Sequence, residues 1–310
     1  MNKLPINPES YEDDAILGLG RFPSWLHRKL PKGGNLFKTG DLLSKYRLNT
    51  VCEEAKCPNR FECYSKKTAT FLALGKACSR ACGFCDIDFT KSPKPPEEDE
   101  PERIAYSVRD LGLKHAVITM VARDDLIDGG AAHIAAIIRK IREVCKDVTV
   151  EVLTSDFEGK KEALDLVLEE KPEIFNHNIE TVRRLTPKVR HKATYERTLS
   201  VLSYVKANGC VTFIKSGIMV GLGETDEEVK ETICDLHQIG VDIITIGHYL
   251  QPSRNKLTVK AFIKPKQFEE YASFGHSIGV KYVYSGPFVR SSYNAQSIKE
   301  VTENKIVNKI

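Results

Sequence analysis

The chain alternates between two patterns of apolar and polar positions from about residue 68 to residue 248. Short runs rich in Val, Ile, Thr and Phe predict strands over residues 68–74, 115–120, 148–154, 174–179, 211–220 and 243–246. Between these runs, apolar residues recur at helical spacing and predict helices over residues 131–144, 160–168, 197–207 and 227–239. This alternation favours βαβ units and a parallel sheet.

Six strands are fewer than the eight that close an α/β barrel. The predicted fold class is therefore α/β, an open, partial (β/α)6 TIM-like barrel with active groups on the loops that follow the strands. We expect an N-terminal extension over residues 1–66, a barrel over residues 67–279 and a C-terminal extension over residues 280–310, with a strand-like run at 280–284. The Pro- and acid-rich residues 91–102 predict an exposed connection.

The composition of the chain limits the cellular locations and the kinds of partner that we expect for it. The chain has 310 residues, of which 41% are hydrophobic, and a formal net charge of only +4. That charge implies no general attraction to nucleic acid or membranes. Residues 1–14 contain several acids and no apolar centre, which excludes a signal or transit peptide, and no apolar run approaches membrane-spanning length.

Six of the nine cysteines form two triplets. Cys52, Cys57 and Cys63 have C-x4-C-x5-C spacing, and Cys78, Cys82 and Cys85 have C-x3-C-x2-C spacing. Neither triplet has the paired ligands of a structural zinc site, although a zinc knuckle remains the alternative. Three thiolates suit an iron–sulfur cluster whose fourth iron takes another ligand. Such thiolates need a reducing compartment, so we expect the cytoplasm.

Polar runs follow several of the predicted strands. Gly129 and Gly130 follow the strand that carries Thr119 and precede a helix, where the backbone can approach an anionic group; a plain glycine turn is the alternative. Asn178 and Glu180 follow a later strand and could bind amine or ribose groups. The basic residues 183–192 predict either a solvated face or a docking patch for an acidic partner.

The second triplet, with the aromatic Phe84 before its last cysteine and a strand before it, resembles the signature of radical S-adenosylmethionine (SAM) enzymes. With both triplets considered, the chain resembles the lipoyl synthase family from about residue 25 to residue 295. The runs that carry the resemblance are residues 50–55, 57–59, 68–71, 123–126, 128–131, 176–181, 221–225, 249–252 and the Arg-Ser-Ser-Tyr run at 290–293.

The resemblance implies roles for these residues. Cys78, Cys82 and Cys85 would bind the 4Fe–4S cluster that cleaves SAM, and the first triplet would bind an auxiliary 4Fe–4S cluster. The fourth ligand of the auxiliary cluster would be Ser292, with Ser291 as the alternative. The implied SAM contacts are Phe84, Thr119, Gly129, Gly130, Asn178 and Glu180. Met120 and His248 depart from the family pattern, which more often has serine and glutamine there.

The implied reaction is insertion of two sulfur atoms at C6 and C8 of a protein-bound octanoyl-lysine, with the auxiliary cluster as sulfur donor. The implied partners are octanoylated lipoyl-carrier domains, namely the acyltransferase subunit of 2-oxo-acid dehydrogenases and the glycine-cleavage H protein. An electron donor such as flavodoxin or ferredoxin would also be needed. The alternatives are another radical SAM sulfur-inserting enzyme, such as a methylthiotransferase or a biotin-synthase-like protein, and a non-catalytic zinc-binding module.

Overall fold

A computed structural model of the chain describes residues 22–27 and 35–292. The strands, numbered along the chain, are β1 (Thr70–Ala73), β2 (Ala77–Cys78), β3 (Asp88–Phe89), β4 (His115–Met120), β5 (Thr149–Leu153), β6 (Ile174–Asn176), β7 (Phe213–Val220), β8 (Ile243–His248) and β9 (Tyr282–Gly286). Seven of them form one parallel sheet in the order β1-β4-β5-β6-β7-β8-β9, while β2 and β3 pair separately. The predicted α/β partial barrel is confirmed.

Of the ten α-helices that the structure describes, three precede the first strand of the large sheet and the other seven lie between its strands. The ten helices are α1 (Asn35–Lys45), α2 (Val51–Glu54), α3 (Arg60–Ser65), α4 (Glu100–Leu111), α5 (Ala131–Val144), α6 (Lys161–Glu169), α7 (Thr186–Val189), α8 (Tyr195–Asn208), α9 (Asp226–Gln238) and α10 (Pro265–Ser277). Among the helices that the structure describes, none combines the length and apolar character that a membrane crossing requires.

Helix α5 shows why the predicted helices form. Its isoleucines at positions 134, 137, 138 and 141 recur at helical spacing and are all fully buried. Burial of each such side chain stabilises the fold by roughly 1.5–3 kcal/mol. Helix α9 begins with a capping box, in which Thr225 and Glu228 each accept a hydrogen bond from the other's backbone N–H.

The sheet has one strand more than the six predicted for the barrel. The strand-like run that we placed in the C-terminal extension forms β9, which pairs with β8 in parallel from Ile243 opposite Tyr282 onward. β1 and β9 lie at the two ends of the strand order and do not pair, so the barrel is open. The free edge of β1 is covered by the segment before α2, where Leu72 N donates to Asn49 O and Thr50 bridges Phe71.

The sequence pattern predicted none of the helices α1 to α4, α7 and α10, and it placed an exposed connection where α4 begins. We predicted residues 91–102 as an exposed connection, but Glu100 begins α4 and is only 5% exposed. Its carboxylate accepts a hydrogen bond from Leu74 N at 2.9 Å and lies 2.7 Å from His133 Nε2. The acid-rich composition suggested solvent, whereas Glu100 satisfies a buried backbone N–H at the end of β1.

A buried polar cluster ties together four neighbouring strands of the barrel. Glu151 on β5 lies 2.9 Å from the Lys215 ammonium on β7, accepts from Asn176 on β6 and lies 3.3 Å from His115 on β4. Burial would raise the pKa of Glu151, but Lys215 and His115 lower it to about 2. Glu151 is therefore ionised inside the barrel.

Candidate metal and cofactor site

The second cysteine triplet lies in the loop that follows β1, and buried charges hold its first half. The Arg80 guanidinium lies 2.7 Å from a carboxylate oxygen of Asp124 and 2.7 Å from one of Asp156. Burial would raise the pKa of Asp156, but hydrogen bonding to Arg80 lowers it to about 2. Since Asp124 follows β4 and Asp156 follows β5, the loops after two strands fix the position of Cys78 and its neighbours.

The second half of the cysteine loop is held by main-chain contacts at Gly83. Its N–H donates to Val189 O and its carbonyl accepts from Leu257 N, both at 2.9 Å. A Cβ atom at position 83 would lie only 3.0 Å from the Leu257 side chain, so a larger residue would displace the loop. The half-buried Phe84 belongs to the apolar cluster that contains Val189 and Tyr249.

The thiols of this loop are near enough to one another to influence each other's pKa. Burial, together with the charge of Cys78, raises the pKa of Cys82 to about 11. Burial also raises the pKa of Cys85 to about 12, with contributions from Cys82 and Cys78. Burial therefore favours the neutral thiols of Cys82 and Cys85, and a bound cation such as iron would favour their thiolate forms.

Two thiols of the first triplet also have raised pKa values. Cys52 lies in α2, Cys57 in the turn after it and Cys63 in α3. Burial, with Cys57 next in importance, raises the pKa of Cys52 to about 12 and that of Cys63 to about 11. Within residues 22–27 and 35–292, no three His, Cys, Asp or Glu side chains converge on a site for a single metal ion.

Two contacts bring the first triplet to the mouth of the barrel. The Lys56 ammonium, between Cys52 and Cys57, lies 2.6 Å from Asp86, the residue after Cys85. The Asn59 amide donates to Phe288 O at 2.7 Å, which connects the first triplet to the segment after β9. The two triplets and the C-terminal segment therefore meet on one side of the molecule.

The serine run follows this segment and reaches the residues after β6. The Asn178 amide donates to Ser291 Oγ at 3.4 Å and to Glu180 Oε1 at 3.1 Å. In the described part of the chain, the Ser292 hydroxyl makes no hydrogen bond and its residue is half-buried. Tyr293, the last residue of the predicted run, lies outside the described residues.

Asn178 and Glu180 are half-buried residues that carry acceptor oxygens. The Asn178 Oδ1 atom is buried and has no hydrogen-bond partner among the described residues. Burial raises the pKa of Glu180, against the opposing charge of Arg190. A Cβ atom at Gly217 would lie 2.8 Å from Asn178 Oδ1, so the glycine leaves this space open. These acceptors suit an amine donor such as the amino group of SAM.

Thr119, Gly129 and Gly130 have partners within the chain. Thr119 Oγ1 donates to Leu153 O at 3.1 Å, and Asp128 accepts from the N–H groups of Gly130 and Ala132. The anionic group expected at the start of α5 is thus supplied by Asp128 itself. Contacts of these three residues with SAM stay predictions.

The two departures from the family pattern are buried. His248 donates from Nδ1 to Tyr249 O and accepts at Nε2 from Ile263 N, and burial lowers its pKa to about 4. Neutral His248 thereby fixes the segment that follows β8. Met120 ends β4 opposite Ala73 and is 9% exposed.

Sequence reasoning missed Arg80, Asp156 and Arg190 at the site. Arg190 is buried and donates to Asn178 O at 2.6 Å. Two features of the sequence could have pointed to these residues. Arg80 lies inside the cysteine loop, and Asp156 comes shortly after a predicted strand. The basic residues 183–192 therefore do not form one solvated face, because Arg183 and Arg184 pair with carboxylates and Arg190 points inward.

Comparisons with known proteins agree with this geometry. Residues 72–236 match the sequence model of the radical SAM superfamily. Residues 8–57 match that of the N-terminal domain of lipoyl synthase. The chain is 63% identical over 300 residues to the lipoyl synthase of Protochlamydia amoebophila, which covers 96% of this chain and 93% of that protein.

Solved structures share the fold at low sequence identity. Streptococcus suis SuiB bound to S-adenosylmethionine matches with a TM-score of 0.56 at 13% identity, over 73% of this chain and 54% of SuiB. Methylornithine synthase matches with a TM-score of 0.51 at 12% identity, over 96% of both chains. The fold is thus that of radical SAM enzymes. The relative at 63% identity is a lipoyl synthase, which is one kind of radical SAM enzyme. The chain belongs to the lipoyl synthase family of radical SAM enzymes.

Proposed function

We propose that this sulfurtransferase inserts two sulfur atoms at C6 and C8 of a protein-bound octanoyl-lysine. The observation that carries the proposal is the meeting of two separate cysteine triplets and a serine run at one barrel mouth, through Lys56–Asp86 and Asn59–Phe288. One triplet would suffice for SAM cleavage alone. A second thiolate set beside it fits a reaction that also needs a source of sulfur.

The residues of the second triplet fit the role of cluster ligands. Cys78, Cys82 and Cys85 would hold one 4Fe–4S cluster, which together with SAM supplies a radical able to attack unactivated C–H bonds. Asn178 and Glu180 would accept hydrogen bonds from the SAM amino group, since both carry acceptor oxygens near this loop and Asn178 Oδ1 is buried without a partner among the described residues. Arg80, between Asp124 and Asp156, would hold the loop in place.

The first triplet would hold the auxiliary 4Fe–4S cluster, with Ser292 as its fourth ligand. Ser291 accepts a hydrogen bond from Asn178, which leaves Ser292 as the serine available to the cluster. An oxygen ligand is harder than thiolate and binds iron less firmly, which suits a cluster that must release sulfur. Both thiolate sets favour a reducing compartment, so the cytoplasm remains the expected location.

The substrates we propose are octanoylated carrier domains of the 2-oxo-acid dehydrogenase acyltransferase subunit and of the glycine-cleavage H protein. A one-electron donor such as flavodoxin or ferredoxin would reduce the cluster held by the second triplet. Both proposals rest on the family to which the chain belongs.

Replacement of one cysteine in each triplet tests the assignment. Cys57→Ala should still cleave SAM under anaerobic reduction but form no lipoyl product from an octanoyl-lysine peptide, because only the sulfur source is lost. Cys82→Ala should lose SAM cleavage and keep about four irons per chain out of about eight. The exposed Cys210 provides a matched control, since Cys210→Ala should behave as wild type.

Mass spectrometry of the peptide and of 5′-deoxyadenosine, with iron analysis of anaerobically purified protein, measures both reactions. Normal lipoyl yield from Cys57→Ala would contradict the two-cluster assignment. Zinc without iron in the wild-type protein would contradict the proposal as a whole.

A further inference from the structure

We infer that the surface outside the second cysteine loop docks a small acidic protein that carries one electron. We call this surface the basic rim and define it by Lys188, Lys256 and Lys260. The inference rests on the proposed function, because it concerns the electron that SAM cleavage requires. The inference says that the electron arrives at one face of the barrel and that the protein that brings it is acidic.

The basic rim lies directly over the residues between Cys82 and Cys85. A Cβ atom at Gly83 would lie 3.0 Å from the Leu257 side chain and 3.4 Å from Lys188 O. Leu257, Lys188 and Lys260 also line one depression at the surface. Only one layer of residues therefore separates the cysteine loop from solvent at this point.

The third lysine extends the rim toward Cys85. The N–H of Lys256 donates to Ser253 O at 3.1 Å, and the Ser253 hydroxyl donates at 2.5 Å to Asp86, which follows Cys85 directly. Lys256 lies on the same loop as Leu257, and the N–H of Leu257 donates to Gly83 O. The rim thus follows the cysteine loop from Gly83 to Asp86.

Two of the three rim lysines have no carboxylate partner among the described residues. Lys188 and Lys260 are exposed and form no ion pair within the described residues. The residues lining the depression include two lysines and no Asp or Glu. By contrast, the nearby Arg184 pairs with Glu228 and Lys192 lies 3.6 Å from Asp124. The remaining positive charge would attract an acidic surface.

An electron carrier fits this surface better than the octanoylated substrate. Electron-transfer complexes use small interfaces that charge complementarity brings together, and the transferred electron needs only a short path to the acceptor. An octanoyl chain must instead enter the mouth, where Asn178 meets Ser291 and the first triplet lies. The rim is formed by α7, which follows β6, and by the loop after β8, and it contains none of those groups.

A charge-reversal pair tests the inference. We expect Lys188→Glu with Lys260→Glu to slow SAM cleavage driven by reduced flavodoxin about tenfold at low salt, since electrostatic steering typically contributes at least that factor. The rate driven by dithionite should stay unchanged. The control pair, Lys114→Glu with Lys146→Glu, lies at the other end of β4 and β5, is equally exposed and should leave both rates unchanged.

Three results would overturn the inference. One is an unchanged flavodoxin-driven rate in the rim variant. Another is an equal loss of the dithionite-driven rate, which would show that the substitutions impair the cluster rather than the docking of the electron carrier. The third is a raised KM for an octanoylated carrier protein under dithionite, which would make the rim a substrate-docking surface. Wild-type product formation under dithionite tests the proposed function separately.

Discussion

Ser291 and Ser292 are neighbours in the chain but have different surroundings. The Ser291 hydroxyl accepts from Asn178, which also donates to Glu180. Ser291 thus belongs with the residues proposed to bind SAM, whereas Ser292 is the residue proposed to complete the auxiliary cluster. The two serines should therefore give different defects when they are replaced.

Ser292→Ala should retain SAM cleavage but yield little lipoyl product, because the auxiliary cluster loses its fourth ligand. Ser292→Cys should bind the cluster yet turn over slowly, since a thiolate holds iron more firmly than a serine oxygen. Product yield per cluster and thermal stability distinguish these outcomes from a merely structural role, in which a lost hydrogen bond costs about 1 kcal/mol.

Ser291→Ala is the matched control for this pair. It should form product with an intact auxiliary cluster and show a raised KM for SAM, because Asn178 loses a neighbour. Wild-type yield from Ser292→Ala together with no product from Ser291→Ala would move the ligand role to Ser291.

Cysteine ligands can be predicted from sequence because both triplets are local in the chain. The Arg80–Asp156 pair could not be predicted, because 76 positions, the difference between the two numbers, separate its members. Asn178 and Glu180 were found as polar residues after a strand, but their contact with the serine run arises only when β6 and β9 fold into one sheet.

At the scale of elements, the turn after β1 shows how the cysteine loop is positioned. Leu74 has a φ of +68°, an unfavourable value for a residue with a side chain. Glu100 accepts from its N–H and Arg123 donates to its carbonyl, so buried charged groups hold both sides of it. Its side chain packs against Gly130 at the start of α5.

Gly130→Ala should destabilise the protein more than Gly112→Ala. Both glycines have a positive φ, +90° and +67°, so both substitutions carry a conformational penalty of about 1–2 kcal/mol. A Cβ atom at Gly130 would also lie 2.5 Å from the Leu74 side chain, whereas nothing lies within 4 Å of one at Gly112. The midpoint of thermal unfolding should be lower for Gly130→Ala than for Gly112→Ala. Equal midpoints would show that the Leu74 side chain moves aside without cost.

The elements that sequence could predict were those with strong periodicity. Helix α5 has the predicted bounds, and β4 does as well. Helices α4 and α10 were missed, and each has a proline at its beginning, where composition resembled a loop. Proline fits the first turn of a helix because that N–H has no partner within the helix.

For the whole molecule, the ion pair between Glu151 and Lys215 ties non-adjacent strands across the barrel. Because both side chains are at most 1% exposed, removal of one partner leaves an isolated charge in the interior. We expect Glu151→Gln to lower the free energy of unfolding by about 3–5 kcal/mol.

The double variant Glu151→Gln with Lys215→Met should recover part of that loss, since no isolated charge remains. Chemical unfolding of the two single variants and the double variant measures the coupling. An additive double variant would show that the two groups contribute independently.

The contact between Asn59 and Phe288 joins positions 229 residues apart in the chain. At typical rates of synthesis, Phe288 leaves the ribosome roughly 10 to 50 s after Asn59. The contact that joins the first-triplet region to the segment after β9 therefore forms only after the last strand has been synthesised. Completion of the auxiliary cluster is thus a step for the finished chain, and a protein truncated before β9 would lack the serine proposed as its fourth ligand.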